Sequence, residues 1–265
     1  MGYRFINESP SHSIIGVKDM SIIRNIAVIR NWYTFYAGRY GLLRNEFEII
    51  HRNGIRLKLR PQTDDLKIVK SNFVTGHYRR DFIPITKDSI VVDVGAHIGS
   101  FSVMAAQTAS KVIAFEPDPD NFQMLKKNIE LNNLRNILAY PIAVSGCNGY
   151  QEMYLFKNGS TGSHSLCKRE QRGLIRKSVQ TISIHGIMEK EGLPVIDFLK
   201  LDCEGAEHDI LRNMSLETAV KIRAIAMETH GVIPESSVNI PGRLKELGFQ
   251  VWVERGYVYA KRIST

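Results

Sequence analysis

Two acidic residues flank a glycine-containing turn near the middle of the chain. Asp93 lies in an apolar run, Gly95 and Gly99 bracket the turn, and Glu116 ends a second apolar run. Turn glycines let the backbone approach a ligand closely, and an acid after the second strand can accept hydrogen bonds from ribose hydroxyls. The spacing therefore predicts a strand–turn–helix–strand unit that binds an adenosine-containing cofactor.

The turn itself discriminates between two such cofactors. A dinucleotide site uses G-x-G-x-x-G, whereas here His97 occupies the position of the middle glycine. Asp93 would repel a pyrophosphate, but it could pair with an ammonium group. S-adenosylmethionine carries an α-amino group, a sulfonium and a ribose, and it has no phosphate. The residues therefore favour S-adenosylmethionine over NAD.

The elements around this turn alternate along the chain. Apolar strands alternate with helices from residue 89 to residue 247, and two short strands follow at 249–253 and 257–261. Such alternation indicates an α/β fold, with a parallel sheet covered on both faces and a terminal antiparallel hairpin. A further strand pair is predicted at 151–156 and 179–184.

The first part of the chain has a different pattern. Apolar and aromatic residues recur at spacings of three and four from Ile22 to Leu43, which predicts one helix. Asn53-Gly54 between two alternating runs predicts a β-hairpin over 46–59. The helix would pack on its own domain; alternatives are a homodimer through its seam or binding along a membrane surface.

Composition sets limits on the class of protein. Of the net charge of +8, residues 1–88 contribute most, with 15 Lys and Arg against 8 Asp and Glu. This excess suggests contact with phosphate, nucleic acid or an anionic surface, or simply a solvated face. The three cysteines form no disulfide framework, and we find neither a signal-peptide pattern nor a membrane-spanning apolar run, so a cytoplasmic protein is expected.

Four motifs resemble those of the FkbM-type methyltransferases over about residues 75–230. They are D-V-G-A-H-I-G-S-F-S (93–102), F-E-P (115–117), A-V-S (143–145) and D-F-L-K-L-D-C-E-G-A-E (197–207). The resemblance implies a class I, Rossmann-like methyltransferase that uses S-adenosylmethionine, mostly for O-methylation of sugars and natural products. His97 departs from the family, which usually has Asn there. The cofactor-binding residues that the resemblance implies are Asp93, Gly95, Ala96, His97, Gly99, Ser100, Phe101, Glu116, Pro117, Ala143, Val144 and Asp202.

Methyl transfer to a hydroxyl requires alignment and a base within reach of the hydroxyl. Asp202 and Glu204 follow one predicted strand, and Glu228 and His230 follow the next. His230 could act as the base, with Glu228 orienting its imidazole. A second hypothesis is a divalent metal held by the same groups, which would acidify the hydroxyl. A third gives Glu228 and His230 purely structural roles.

The polar loop over 158–177 is predicted to be a lid over the acceptor. It is rich in cations, and His164, Arg169 and Arg172 are the candidate acceptor-binding residues. Their charge would suit a phosphate or carboxylate on a small-molecule or glycan acceptor. A solvated charged loop is the alternative.

We therefore divide the chain into an N-terminal extension, residues 1–75, and a methyltransferase domain, residues 76–265. O-methylation of a sugar, glycan or small metabolite is the predicted reaction. Methylation of RNA or another nucleic acid is an alternative because of the basic N-terminal segment, although no RNA-binding module is recognised there. A non-catalytic cofactor-binding interaction protein is the third.

Overall fold

The computed structural model describes residues 15–155, 175–230 and 237–263. The helices are α1 (Ile15–Val28), α2 (Trp32–Arg39), α3 (Asp65–Lys70), α4 (Ser100–Ala106), α5 (Pro119–Leu131), α6 (Ile184–Glu191), α7 (Ala206–Asn213), α8 (Leu216–Ala219) and α9 (Ile240–Glu246). The strands are β1 (Phe47–Ile50), β2 (Arg56–Leu59), β3 (Ile90–Val94), β4 (Lys111–Phe115), β5 (Ile137–Tyr140), β6 (Ala143–Val144), β7 (Gly149–Leu155), β8 (Ile175–Ile182), β9 (Phe198–Leu201), β10 (Ala224–Glu228), β11 (Phe249–Glu254) and β12 (Tyr257–Arg262).

A seven-stranded sheet forms the centre of the described structure, in the order β11-β12-β10-β9-β3-β4-β5. The strands from β10 to β5 are parallel, whereas β12 runs antiparallel to both β10 and β11. The predicted α/β fold with a terminal antiparallel hairpin is therefore confirmed. Parallel strands place all their carboxyl ends at one edge, which is where open α/β sheets bind ligands.

Helices cover both faces of this sheet because its strands are apolar on both sides. Along β3, Val91 packs into one hydrophobic cluster and Val92 into the other. Along β4, Ala114 packs into the same cluster as Val91, and Ile113 packs into the same cluster as Val92. This alternation follows from the two-residue repeat of a strand, and it explains the near-continuous apolar runs in the sequence.

The sequence predicted one helix over 22–43, but the structure has two helices there, α1 and α2. The prediction of a continuous helix is therefore wrong. The chain breaks between them because residues 29–31 bind the hairpin instead. The Arg30 amide donates to the Ile50 carbonyl at 2.7 Å. The Asn31 side chain accepts from the Ile50 amide and donates to the Glu48 carbonyl, both at 2.8 Å.

The β1–β2 hairpin is present with the predicted Asn53-Gly54 turn and pairs Phe47 with Leu59. Its outer edge binds one side chain of α5 and one from the residue that caps the C-terminus of α5. Asn128 exchanges two hydrogen bonds with the backbone of Lys58, and Asn132 does the same with Arg56. The hairpin also shares one hydrophobic cluster with β3, α4 and α5. The division at residues 75 and 76 stays a prediction.

Three further comparisons complete the fold. A small sheet in the order β6-β8-β7 contains the predicted strand pair, in which Gly149 pairs with Thr181. Helices α6 and α8 were not predicted from the sequence. No helix in the described part of the chain has the length and apolarity needed to cross a membrane.

Candidate active site

A cleft opens at the carboxyl ends of the parallel strands. Of the predicted cofactor-binding residues, those that line it are Gly95, Ala96, His97, Ser100, Phe101, Glu116, Pro117, Ala143, Val144 and Asp202. Ile68 and Asn72 from the N-terminal extension, Met153 and Lys200 also line it, and the sequence analysis assigned no role to these four.

The glycine turn leaves no room for a side chain. Gly95 has φ +74°, and a Cβ there would lie 1.8 Å from the backbone oxygen of Asp202. Gly99 has φ +82°, and a Cβ there would lie 2.4 Å from a methyl carbon of Leu125. The turn is fixed to the end of β4, because the amides of Gly95 and Ala96 both donate to the Phe115 carbonyl at 3.0 Å.

Glu116 is held at the end of β4 by backbone donors. Its two carboxylate oxygens accept from the amides of His97 at 2.7 Å and Asp118 at 3.0 Å. Burial raises the pKa of Glu116 to about 7, although these two hydrogen bonds favour the charged form. The carboxylate lines the cleft, where its remaining lone pairs can accept from hydroxyl groups.

Asp93 does not line the cleft. Its carboxylate is fully buried, accepts a hydrogen bond from the Ser102 hydroxyl and lies 2.8 Å from the Lys200 ammonium. Asp93 was predicted to pair with the ammonium group of the cofactor. In the structure it pairs instead with the ammonium group of Lys200. The sequence held one signal of this pairing, a lysine in the otherwise apolar run of β9. A buried lysine is found almost only where it is paired with an acid.

Two cleft residues other than glycine have a left-handed backbone. His97 has φ +53° and Glu204 has φ +54°. Such conformations are uncommon outside glycine and are characteristic of functional sites. Burial lowers the pKa of His97 to about 4, against the opposing effect of Asp65, whose Oδ1 lies 3.6 Å from Nε2. The His97 ring is therefore neutral at physiological pH.

A cluster of carboxylates and tyrosines lies beside the cleft, at the ends of β9 and β10. The Tyr78 hydroxyl donates to Asp202 Oδ2 at 2.7 Å and lies 3.4 Å from Glu228 Oε2. The Tyr257 hydroxyl donates to the same Glu228 oxygen at 3.1 Å. Tyr78 bridges two of the three carboxylates of the predicted catalytic group.

His230 joins this cluster from the end of β10. Its Nδ1 lies 3.1 Å from Glu207 Oε1, and its Nε2 lies 3.6 Å from Glu204 Oε1. The orienting carboxylate is thus Glu207, rather than the Glu228 that the sequence analysis expected. Glu207 is the last acid of the 197–207 motif, and it is fixed by the amides of Cys203 and Gly205, both at 2.7 Å.

The charge of His230 follows from these neighbours. Burial lowers its pKa, but the hydrogen bond and charge of Glu207, followed by the charges of Glu204 and Asp202, outweigh burial and raise the pKa to about 9. In the cofactor-free protein the imidazole is therefore protonated at neutral pH.

The same cluster tests the metal hypothesis. Asp202, Glu228 and His230 each offer one ligand atom, and these atoms lie within 4.8 Å of one another. A divalent cation could bridge such a group. The carboxylates nevertheless have tyrosine donors already, so a bound metal stays an alternative to be tested. The predicted acceptor-binding residues His164, Arg169 and Arg172 lie outside the described residues.

The strand order, the antiparallel β12 between β10 and β11, and this cleft together define a class I methyltransferase. The family model described as the methyltransferase FkbM domain matches residues 93–251, which is more than half of the chain. The chain therefore belongs to the FkbM methyltransferase family, as its motifs indicated, and it is a methyltransferase.

Three curated relatives show the range of activities around this chain. A methyltransferase, sdnD of Sordaria araneosa, is 25% identical over an alignment of 209 residues that covers 66% of this chain and 79% of the relative. The hexuronic acid methyltransferase AglP of Haloferax volcanii is 23% identical over 232 residues, covering 85% and 91%. The tRNA (guanine(37)-N(1))-methyltransferase Trm5b of Pyrococcus abyssi is 36% identical over 95 residues, covering 36% and 28%.

Proposed function

We propose that this protein is an S-adenosylmethionine-dependent O-methyltransferase whose acceptor is a hydroxyl on a sugar, glycan or small metabolite. The observation that carries the proposal is the group of Asp202, Glu204, Glu228 and His230 beside the cleft. Carboxylates and an oriented imidazole are the groups that a hydroxyl nucleophile requires nearby, because its proton must be accepted as the new bond forms.

The residues of the cleft fit S-adenosylmethionine. The cofactor, when bound, supplies an electrophilic methyl group on a sulfonium centre. Glu116 is suited to the ribose hydroxyls, and the apolar Ala143 and Val144 are suited to the adenine face. Gly95 lets the turn lie against the backbone of Asp202, because a side chain at this position would clash with that backbone. A pyrophosphate would instead meet the carboxylates of Glu116 and Asp202, which repel it.

His230 is the proposed base. Glu207 fixes Nδ1, so Nε2 is the ring atom directed at Glu204 and available for a proton. With a pKa of about 9 in the cofactor-free protein, the ring must first lose its own proton. A cationic cofactor in the adjacent cleft favours that loss, because like charges lower the pKa of an imidazolium.

The acceptor class rests on a relative as well as on the site. AglP, which its name gives as a hexuronic acid methyltransferase, aligns over most of this chain. A uronic acid offers secondary hydroxyls together with a carboxylate. The acids around His230 would repel that carboxylate, whereas His164, Arg169 and Arg172 offer positive or hydrogen-bonding side chains that suit it, so we propose these three residues as its binding partners.

The test is methyl transfer from isotope-labelled S-adenosylmethionine to matched acceptors. Glucuronic acid, glucose and their glycosides are incubated with the protein, and products are identified by mass spectrometry and by the position of the methyl group. A methyl ether on a sugar supports the proposal. Label found only on nitrogen of an acceptor, with none on hydroxyls across sugars and cell-extract metabolites, contradicts it.

A nucleic-acid acceptor is the second candidate, and two observations favour it. The alignment with Trm5b covers about a third of the chain at higher identity than the other relatives named here. In the N-terminal extension, two arginines and two aromatic residues are exposed, and such side chains suit phosphate and base contacts: Arg30, Arg39, Trp32 and Tyr33. RNA binding that falls steeply with salt, together with methylated RNA, would support this candidate. No binding at low salt excludes it.

A further inference from the structure

Asn72 has a buried side-chain oxygen that finds no donor in the described part of the chain. The residue is 4% exposed, and it lines the cleft beside Ile68. Its Oδ1 has no hydrogen-bond partner there. Buried polar atoms are almost always paired, so an unpaired acceptor on a residue that lines a ligand cleft indicates a donor on the ligand.

The local backbone and one hydrogen bond hold the Asn72 side chain in position. Asn72 lies in the single π-helical turn Ser71–Thr75, which follows α3 and ends at Gly76 with φ +62°. Its Nδ2 donates to the Ser100 hydroxyl at 2.6 Å, at the first residue of α4. With Nδ2 used in this way, Oδ1 is the remaining polar atom of the side chain. Single π-turns are frequent at functional sites.

One hydrogen-bond donor of S-adenosylmethionine is left to pair with Asn72 Oδ1 when the others are assigned. In the proposed function, Glu116 receives the ribose hydroxyls, and the adenine lies at Ala143 and Val144. The exocyclic amine of the adenine lies with the base at Ala143 and Val144, so the donor left for Asn72 is the α-ammonium of the methionine end. Asp93, the first candidate for that ammonium, is already paired with Lys200 and Ser102.

We propose that Asn72 Oδ1 accepts a hydrogen bond from the α-ammonium group of the bound cofactor. This inference rests on the proposed function, because it requires S-adenosylmethionine in the cleft. Asn72 lies outside residues 93–251, to which the family model matches. The N-terminal extension therefore supplies part of the methionine-binding end of the site.

The test compares two ligands by isothermal titration calorimetry. S-adenosylhomocysteine carries the α-ammonium, whereas methylthioadenosine has the same nucleoside and thioether but no amino-acid end. Asn72→Leu removes the acceptor and keeps the approximate volume. We expect it to weaken S-adenosylhomocysteine binding by between about tenfold and a hundredfold, as for a hydrogen bond to a charged group. Methylthioadenosine binding should stay within about twofold of wild type.

Two further variants separate recognition from folding. Asn72→Asp keeps an acceptor for the ammonium and can accept from Ser100, so it should restore S-adenosylhomocysteine binding. Asn45→Ala makes a similar change at an exposed asparagine of the extension and should alter neither affinity. Thermal unfolding of each variant shows whether the fold is retained, and only folded variants enter the comparison.

The outcomes distinguish the two proposals. If the wild-type protein binds neither ligand, the cofactor assignment in the proposed function fails. If it binds both and Asn72→Leu weakens them equally, or weakens neither, the ammonium contact is refuted while the cofactor assignment stands.

Discussion

The Lys200 ammonium lies 2.8 Å from Oδ1 of Asp93, and both side chains are buried between neighbouring strands. The two residues are direct partners in the parallel pairing of β3 with β9. Lys200 also donates to the Gly95 carbonyl at 2.9 Å. Burial lowers the pKa of Lys200, but Asp93 and then Asp202 outweigh burial and raise it. The lysine is therefore charged, and it ties the glycine turn to the sheet.

Replacing Lys200 alone should destabilise the protein more than replacing Lys200 and Asp93 together. Lys200→Met leaves the Asp93 carboxylate buried without its cation, which typically costs about 3–5 kcal/mol. In the double variant with Asp93→Asn, no charge is stranded, so much of that loss should be recovered. The free energy of unfolding in urea measures both variants.

Lys245→Met is the matched control for this experiment, because Lys245 is exposed on α9. It should change the unfolding free energy by no more than about 0.5 kcal/mol. A Lys200→Met variant as stable as this control would show that the buried pair has no structural role.

Cofactor affinity should depend on the ionisation of Glu116. The pKa of this carboxyl is raised to about 7 in the free protein, and only the charged form can accept from both ribose hydroxyls. The dissociation constant of S-adenosylhomocysteine should therefore rise about tenfold for each pH unit below 7 and change little above it. Calorimetry across this range measures the profile. Glu116→Ala should bind weakly and lose this dependence; a wild-type profile in the variant contradicts the assignment.

The same pKa shift predicts the pH dependence of stability. The folded-state pKa of Glu116 lies above its ordinary value of 4.5, so the folded protein binds this proton more tightly than the unfolded chain. The contribution of Glu116 to stability is therefore full below about pH 4.5 and is lost as the pH rises through about 7. Urea unfolding of wild type and Glu116→Ala over this range isolates that contribution.

Activity should increase with pH toward the pKa of His230. If the neutral imidazole is the base, kcat/KM should rise about tenfold per pH unit until it levels near pH 9. His230→Ala should remove this dependence and lower turnover by about a hundredfold or more. Full turnover of His230→Ala, with and without a chelator, would exclude base and metal catalysis together. Loss of wild-type activity on chelation alone would favour the metal.

The two tyrosines of the acidic cluster should differ in their effects. The Tyr78 hydroxyl reaches both Asp202 and Glu228, whereas that of Tyr257 donates to Glu228. Tyr78→Phe should lower kcat/KM by about tenfold, because Asp202 loses its hydroxyl donor, and Tyr257→Phe should lower it less. Steady-state kinetics on both variants tests this order. Equal losses would place the functional contact at Glu228.

The sequence predicted those parts of the fold that depend on local patterns. Apolar runs gave β3, β4 and β10, and Asn53-Gly54 gave the hairpin, because side-chain period and turn chemistry are local properties. The break at Asn31 escaped prediction. Its side chain binds β1, seventeen residues away, and a helical periodicity carries no record of such a contact.

Site residues divide in the same way. The glycine turn and Glu116 could be found because a fixed spacing positions them on one strand–turn–helix–strand unit. The pairing of Lys200 with Asp93 depends on strand register across 107 residues. The position of Asn72 depends on how the extension packs on α4. Both are tertiary relationships, so motif spacing alone did not show them.

Asn128 and Asn132 bind the outer edge of β2 as a neighbouring strand would. Each side chain hydrogen-bonds to one backbone amide and one carbonyl of that edge. A two-stranded hairpin otherwise presents an open edge that can recruit a strand from another molecule. Here two amide side chains on a helix occupy that edge. Substituting both asparagines would therefore expose the hairpin to intermolecular pairing and aggregation, even though neither residue touches the catalytic cluster.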